Sequence, residues 1–244
     1  MRIIAILGYV LFFFLTGLKT DKNVQQKIKE NPKQGFLLGN NIVRQKFKGV
    51  LKLSGTKIVA KGTEHIPDTS ALYVGNHRSY FDILTTHVTI NRPVGYIAKS
   101  EMLKIPFLNH WMSNIGCLFL DRKDNKQALK TILAGVKLLK NDTVSLYIFP
   151  EGTRGHGEKM APFKKGSFKM AEKSGRPIVP IGIVNSDNVF ENNGAFRKIR
   201  PATVYLNIGE PIYFDTLSED QQKHIDVYVQ GIVKDLIADL KKEC

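Results

Sequence analysis

Seven short runs rich in β-branched and aromatic residues follow Gly49, each set off from the next by a turn or a longer helical pattern. They cover residues 57–60, 71–74, 94–98, 115–120, 144–149, 178–184 and 203–208. A chain that alternates strand with helix in this way is limited to the α/β class. The helical stretches fit that class. Leu129, Ile132, Leu133, Val136 and Leu139 fall on one face of a helix predicted over 125–140, the spacing of a helix that covers a sheet. Ser218-Glu219-Asp220-Gln221 has the form of a capping box, and Ile225, Val229, Ile232, Val233, Leu236 and Leu240 follow it at helical period. Both are packing helices without chemistry.

The part before Gly49 is of another kind. Residues 3–18, IIAILGYVLFFFLTGL, carry no charge and are apolar on every side. The run is shorter than the ~20 residues of a comfortable spanning helix, and no small-x-small cleavage site follows its basic start, Met1-Arg2. Residues 22–52 then mix Lys22, Lys27, Lys29, Lys33, Arg44, Lys46, Lys48 and Lys52 with Phe36, Leu37, Leu38, Ile42, Val43 and Phe47. This composition suits a second helix along an anionic surface, or equally a helix packed on the following domain. The division expected is therefore 1–49 as membrane-binding helices and 50–244 as a catalytic domain, with a helix pair embedded in one leaflet.

With 36 Lys+Arg against 22 Asp+Glu, the formal charge of +14 suits phosphorylated ligands, anionic head groups or nucleic acid without choosing among them. The basic residues lack the aromatic interleaving of a nucleic-acid surface, so nucleic acid is not an expected partner. Cys117 and Cys244 suggest no disulfide framework, and the histidines (His65, His77, His87, His110, His156, His224) show no metal-ligand spacing. No metal or organic cofactor is expected.

Two polar clusters follow strand candidates. NHRSYFD at 76–82 comes directly after the run 71–74. His77 and Asp82 are five apart, which separates them by about 140° on an unbroken helix. They meet only if His77 precedes the helix and Asp82 lies in its first turn. Asp82 then fixes one imidazole nitrogen and leaves the other free to take a proton from a hydroxyl. Alternatively, Asn76 or Ser79 caps a helix and His77 is an ordinary loop residue. FPEGTRG at 149–155 follows the run 144–149, with Gly152 permitting close backbone approach and Arg154 offering a planar fork for phosphate. Standing alone it is also compatible with a Pro-Glu-Gly turn with solvated charges. Lys99 and Arg122 fall at other strand ends, where they can join Arg154 on one phosphate. Lys164 and Lys165 suit either an acidic donor or a solvated face.

Taken in order, NHRSYFD, GCLFLDR, FPEGTRG and VPIGI resemble the four motif blocks of the glycerolipid acyltransferase family, over about residues 71–184. The resemblance implies an α/β layer structure, a central sheet flanked by helices, with the N-terminal helices holding the site at the membrane. It implies His77 as base, Asp82 as its orienting partner, and Glu151, Gly152, Thr153 and Arg154 as parts of the acceptor's phosphate site. Lys99 and Arg122 match positions used for the same phosphate. The implied reaction passes an acyl group from acyl-CoA or acyl-carrier protein, as co-substrate, to the sn-2 hydroxyl of lysophosphatidate, at the cytoplasmic face of the cell membrane. Another lysophospholipid or glycerol-3-phosphate is the alternative acceptor. A thiol is a good leaving group, so a general base is the main demand on the protein and no acyl-enzyme is required. An esterase would need a G-x-S-x-G elbow, which the sequence lacks. A non-enzymatic anionic-surface protein would rest on the charge alone. Oligomeric state is not legible.

Overall fold

The structure, a computed structural model, describes residues 2–155, 159–194 and 198–243; Met1, His156 and Cys244, weighed above, fall outside these. Every predicted strand run pairs. β1 (Lys57–Lys61), β2 (Leu72–Gly75), β3 (Val94–Lys99), β4 (Leu118–Leu120), β5 (Ser145–Ile148), β6 (Ile178–Val184) and β7 (Thr203–Ile208) form one sheet in the order β1-β7-β6-β2-β5-β3-β4. β6, β2, β5, β3 and β4 are mutually parallel; β7 runs antiparallel to β6 and parallel to β1. Central parallel strands must be covered on both faces, and β2, β5 and β6 are buried at every position.

Nine helices are described: α1 (Arg2–Thr16), α2 (Leu18–Glu30), α3 (Pro32–Ser54), α4 (Tyr80–Thr89), α5 (Leu108–Asn114), α6 (Asn125–Lys140), α7 (Lys169–Ser174), α8 (Glu219–Lys223) and α9 (Ile225–Lys241). Side chains alternate across the sheet with period two. Tyr73, Tyr147 and Ile181 therefore join a core completed by Phe13, Val43, Leu51, Phe81 and Trp111 from α1, α3, α4 and α5. Leu72, Val74, Leu146 and Ile178 join the opposite core with Leu139, Met170, Val229 and Val233 from α6, α7 and α9.

Some local expectations change. The run 115–120 pairs only from Leu118, because Ile115 closes α5 and Gly116, at φ 85°, turns the chain into the strand. The helix predicted after the capping box breaks at His224 (φ −115°, ψ 37°), so the cap serves the short α8 and α9 starts afresh. Residues 22–52 form no single helix. Asn31, extended at φ −148°, ends α2 and caps α3 by accepting from Gln34 N, while Pro32 supplies a preset φ at the first turn of α3.

α1 meets α2 at Gly17 with a 62° bend; among the described residues no single helix is long and apolar enough to cross a membrane, and only the bent pair taken together has that length and composition. Ile4, Leu7, Leu11, Phe12 and Leu15 are each more than half exposed, whereas Phe13 is buried. α3 runs unbroken through residue 49 and carries Val43 and Leu51 into the sheet's core. Its Arg44 is buried rather than displayed to an anionic surface. The guanidinium donates to His87 O (3.3 Å), Ile90 O (3.2 Å) and Arg92 O (2.8 Å), satisfying carbonyls that the end of α4 leaves without partners.

Candidate active site

β2 ends at Gly75 in the middle of the sheet, between β5 and β6, where the ends of parallel strands leave a crevice. A side chain at 75 would strike the Tyr147 hydroxyl, so glycine is what lets the strand pass. Asn76 extends the strand's pairing with its side chain: Nδ2 donates to Ile183 O at 2.9 Å, and Oδ1 accepts from Ile183 N at 2.8 Å. The backbone then leaves the sheet at a fixed point, and His77 is the first residue free of it.

Ser79 is the N-cap of α4, its Oγ accepting from Phe81 N at 3.0 Å, and this puts Asp82 in the helix's first turn. The carboxylate, fully buried, turns back over the cap. Its Oδ2 accepts from His77 Nδ1 (2.8 Å), Arg78 N (2.7 Å) and Ser79 N (2.8 Å). Capping and orientation of the histidine are thus done by one oxygen, and the five-residue spacing is bridged by the bend required of it. An Nδ1–H donated to a carboxylate leaves the lone pair on Nε2, which has no hydrogen-bond partner among the described residues. The ring stacks on Phe149 at 3.9 Å between centroids and 15° between planes. His77 also forms part of the wall of a cavity of about 360 Å³ that includes Arg78, Gly155, Lys159 and Asn185.

The second motif is built on a turn. Gly152 N donates to Phe149 O at 3.0 Å across Pro150 and Glu151, and Gly152 takes φ 77°. Pro at the second position and Gly at the fourth suit a tight turn of this kind. Glu151 is buried and faces inward: Oε1 accepts from His77 N and Oε2 from Ala161 N, both at 2.8 Å. Desolvation pushes its carboxyl above the ordinary range, opposed by those two amides and the nearby imidazole. Gly155 N returns a bond to His77 O at 2.8 Å, so the two motifs are tied in both directions. Glu151 thus braces the two loops, with both oxygens accepting from backbone amides.

Lys99, Arg122 and the turn at 151–154 share one edge of the sheet, at or just past the ends of the adjacent strands β3, β4 and β5. Arg122 lies against the Gly152 backbone, with Nη1 donating to Gly152 O at 2.7 Å, and a side chain at 152 would collide with its guanidinium. Arg154 is held on its other side. Its guanidinium lies 3.9 Å over the Tyr80 ring, with Nη2 3.1 Å from the Tyr80 hydroxyl and Nη1 3.2 Å from Glu191 Oε1. Thr153 and Lys99 are exposed, and Lys99 sits opposite Leu120 in register, with neither hydrogen-bonded to the two arginines.

Several residues of this site escaped the sequence analysis. Phe149 and Tyr80 lie inside the two motifs but show no chemistry by type. Asp187, which receives Arg78 Nε and Nη2 at 2.9 and 2.7 Å, and Glu191, which binds Ser79 Oγ at 2.6 Å, follow β6. The available signal was their place, a polar run directly after a central strand.

A family model described as Acyltransferase matches residues 57–184, more than half of the chain. The 1-acyl-sn-glycerol-3-phosphate acyltransferase of Borreliella burgdorferi is 34% identical over 197 residues, 80% of this chain and 78% of that one. The enzyme of the same name from Escherichia coli K12 is 29% identical over 216 residues, 87% of this chain and 84% of that one. The crystal structure of the 1-acyl-sn-glycerophosphate (LPA) acyltransferase of Thermotoga maritima superposes with a TM-score of 0.75 at 26% identity, covering 99% of this chain and 98% of that one. The matched segment runs from β1 to the end of β6 and so contains His77, Asp82 and the whole 149–155 turn, and on this ground the chain belongs to the acyltransferase family.

Proposed function

We propose that the chain moves a fatty acyl group from a thioester donor, acyl-CoA or acyl-carrier protein, to the sn-2 hydroxyl of lysophosphatidate, giving phosphatidate. The observation that carries the reading is His77, held through Nδ1 by a buried Asp82, with Nε2 without a hydrogen-bond partner among the described residues. In this reading Nε2 removes the hydroxyl proton as the oxygen attacks the thioester carbonyl, Asp82 stabilises the imidazolium that forms, and the thiolate leaves. No acyl-enzyme enters. Ser79 spends its hydroxyl on Glu191, and the buried Cys117 has its thiol pushed up to about 12 by desolvation, so neither supports a nucleophile. The names of the relatives support the acceptor, and Lys99 and Arg122 at neighbouring strand ends, with Arg154 across the 151–154 turn from them and held by Tyr80 and Glu191, support a phosphate site on that edge. The exposed apolar face of α1 supports a monotopic seat in one leaflet, which this reading assigns to the cytoplasmic face of the cell membrane.

The test is a transfer assay with purified protein, one thioester donor, and lysophospholipids with and without a terminal phosphate. Activity should be confined to lysophosphatidate. His77→Ala should lower turnover by ~10²–10⁴ while acceptor binding persists, and Arg154→Ala should act mainly on the acceptor KM. Near-normal turnover of His77→Ala, or hydrolysis of the donor without transfer, would overturn the assignment.

A further inference from the structure

We propose that residues 103–107, the segment just ahead of α5, form a second membrane-inserting element that enters an anionic lipid surface beside α1. The proposal rests on the reading of the chain as an enzyme seated on a lipid surface and assigns that seat a further contact. Residues 103–107 are five consecutive exposed positions, of which Leu103, Ile105 and Phe107 are large and apolar at 46%, 43% and 45% exposure. Scattered single apolar residues need no explanation, but three in five on one loop do.

The backbone adds a second, independent observation. Phe107 sits at φ 63°, ψ −44°, and Leu108 N donates to Pro106 O at 2.7 Å. This is the γ-turn with positive φ, rare and strained for a bulky side chain, where glycine would be free of penalty. The strain presents an aromatic ring outward instead of burying it. That ring stacks on Phe14 of α1 at 6.2 Å and 21°. Behind it, Trp111 of α5 packs on Phe13 at 4.7 Å, and Asp21 of α2 accepts from Asn114 at 2.7 Å and pairs with His110 at 3.0 Å. The segment and α1 therefore present adjoining apolar surfaces, joined at Phe107 and Phe14, with α2 fixed behind them by polar contacts to α5.

The rim matches an anionic surface. Lys104 lies within the segment, Lys99 is exposed four residues before it and Lys19 is exposed just after α1, with the exposed Glu101 as the acid between Lys99 and the segment. Basic residues flanking an apolar insertion are the pattern that recognises anionic lipid. The segment also lies between β3 and β4, the strands whose ends carry Lys99 and Arg122. Its insertion would bring that edge of the sheet to the surface where a lysolipid head group sits.

The test uses the full chain and vesicles of phosphatidylglycerol and phosphatidylcholine. Trp111 is the sole tryptophan, so Phe107→Trp in a Trp111→Phe background places one fluorophore on the segment. Bromines on the lipid chains should quench it, and bromine-free vesicles should not. The combined Leu103→Ser, Ile105→Ser and Phe107→Ser variant should lose about tenfold or more in vesicle partition, while turnover on detergent-dispersed acceptor stays within about twofold. Phe107→Gly should weaken partition; because it also removes the stack on Phe14, its Tm serves only to confirm that the variant is folded. A combined variant that partitions like the wild type, while Leu7→Ser with Leu11→Ser in α1 releases the protein, would overturn the proposal and leave the membrane reading intact. If neither variant affects partition, both fall. Loss of a dimer in the combined variant with unchanged partition would mean that a second copy, not lipid, covers the segment. Absence of transfer to any lysolipid would instead reject the proposed reaction, whatever the partition.

Discussion

Replacing Asp82 by Asn removes one buried negative charge from beside His77 with almost no change of shape. The amide oxygen can take the place of Oδ2 and still accept from His77 Nδ1, Arg78 N and Ser79 N, while the amide nitrogen occupies the site of Oδ1, which has no partner among the described residues. The amide N–H groups then lie buried without an acceptor, at a cost of about 1–3 kcal/mol in stability, while the imidazole stays hydrogen-bonded in both cases. The transition state differs, since His77 becomes a cation as it takes the hydroxyl proton. With charge centres about 4 Å apart and an effective dielectric near 20, the lost attraction is about 4 kcal/mol, or ~10²–10³ in kcat once part is recovered by the remaining dipoles. The acceptor KM should stay within about threefold, since Asp82 is fully buried and touches no substrate. The assay is thiol release from the donor at saturating lysophosphatidate, with circular dichroism to confirm folding. Ser79→Ala supplies the control. It removes the side-chain cap of α4, at a cost of about 1 kcal/mol in stability, and the bond to Glu191, but leaves the His77–Asp82 contact, so its kcat at saturating acceptor should hold even where the acceptor KM shifts through Glu191 and Arg154. An Asp82→Asn enzyme turning over within threefold of wild type would refute the argument that the carboxylate acts through the imidazole.

Gly152→Ala should cost about 1–3 kcal/mol in stability from the φ of 77° and should raise the acceptor KM by displacing the Arg122 guanidinium; in an Arg122→Ala background the kinetic effect should largely vanish, and additivity in that double-mutant cycle would deny the contact. His87, fully buried and with neither ring nitrogen within hydrogen-bonding geometry of a partner among the described residues, is pushed down to about 3 by desolvation and by the nearby Arg44, against a weaker opposing contact with the Asn40 backbone. The unfolded chain binds that proton near pH 6.5 and the native one does not. Stability from this group is therefore full above about 6.5 and is lost as pH falls toward 3, by about 2 kcal/mol at pH 5. Urea midpoints at pH 7 and pH 5 should differ less in His87→Leu than in the wild type, and an equal difference would discount the group.

Local chemistry explains which elements were legible. β6 and β7 form over the stretches their apolar runs mark, and α6 starts and ends where its periodicity does, because Asp124 caps it by accepting from Lys126 N and Gln127 N. The runs at 57–60, 71–74 and 144–149 shift by a residue or so at their ends, as fraying boundaries do. β4 lost half its run because Cys117 and Ile115 are apolar for the sake of the core, not the ladder. The break at Asn31 was signalled by Asn-Pro, a cap followed by a preset φ, within a lysine-rich stretch whose composition drew attention to the surface instead.

The site divides along the same line. Residue types and spacing marked His77, Asp82 and Arg154, since a bend between histidine and aspartate is a local matter that an N-cap can settle within one turn of helix. Composition alone also marked the apolar run and the excess of positive charge. Which of those charges remain available to a ligand was decided only by tertiary contacts, over separations of tens of residues. Arg44 was withdrawn to cap α4, Arg78 was neutralised by Asp187, Arg154 was fixed by Tyr80 and Glu191, and Glu151 was turned inward to brace two loops. A charged side chain acquires its role from the partner that compensates its loss of water, and that partner is chosen by the packing of the sheet and its helices rather than by its neighbours in the chain.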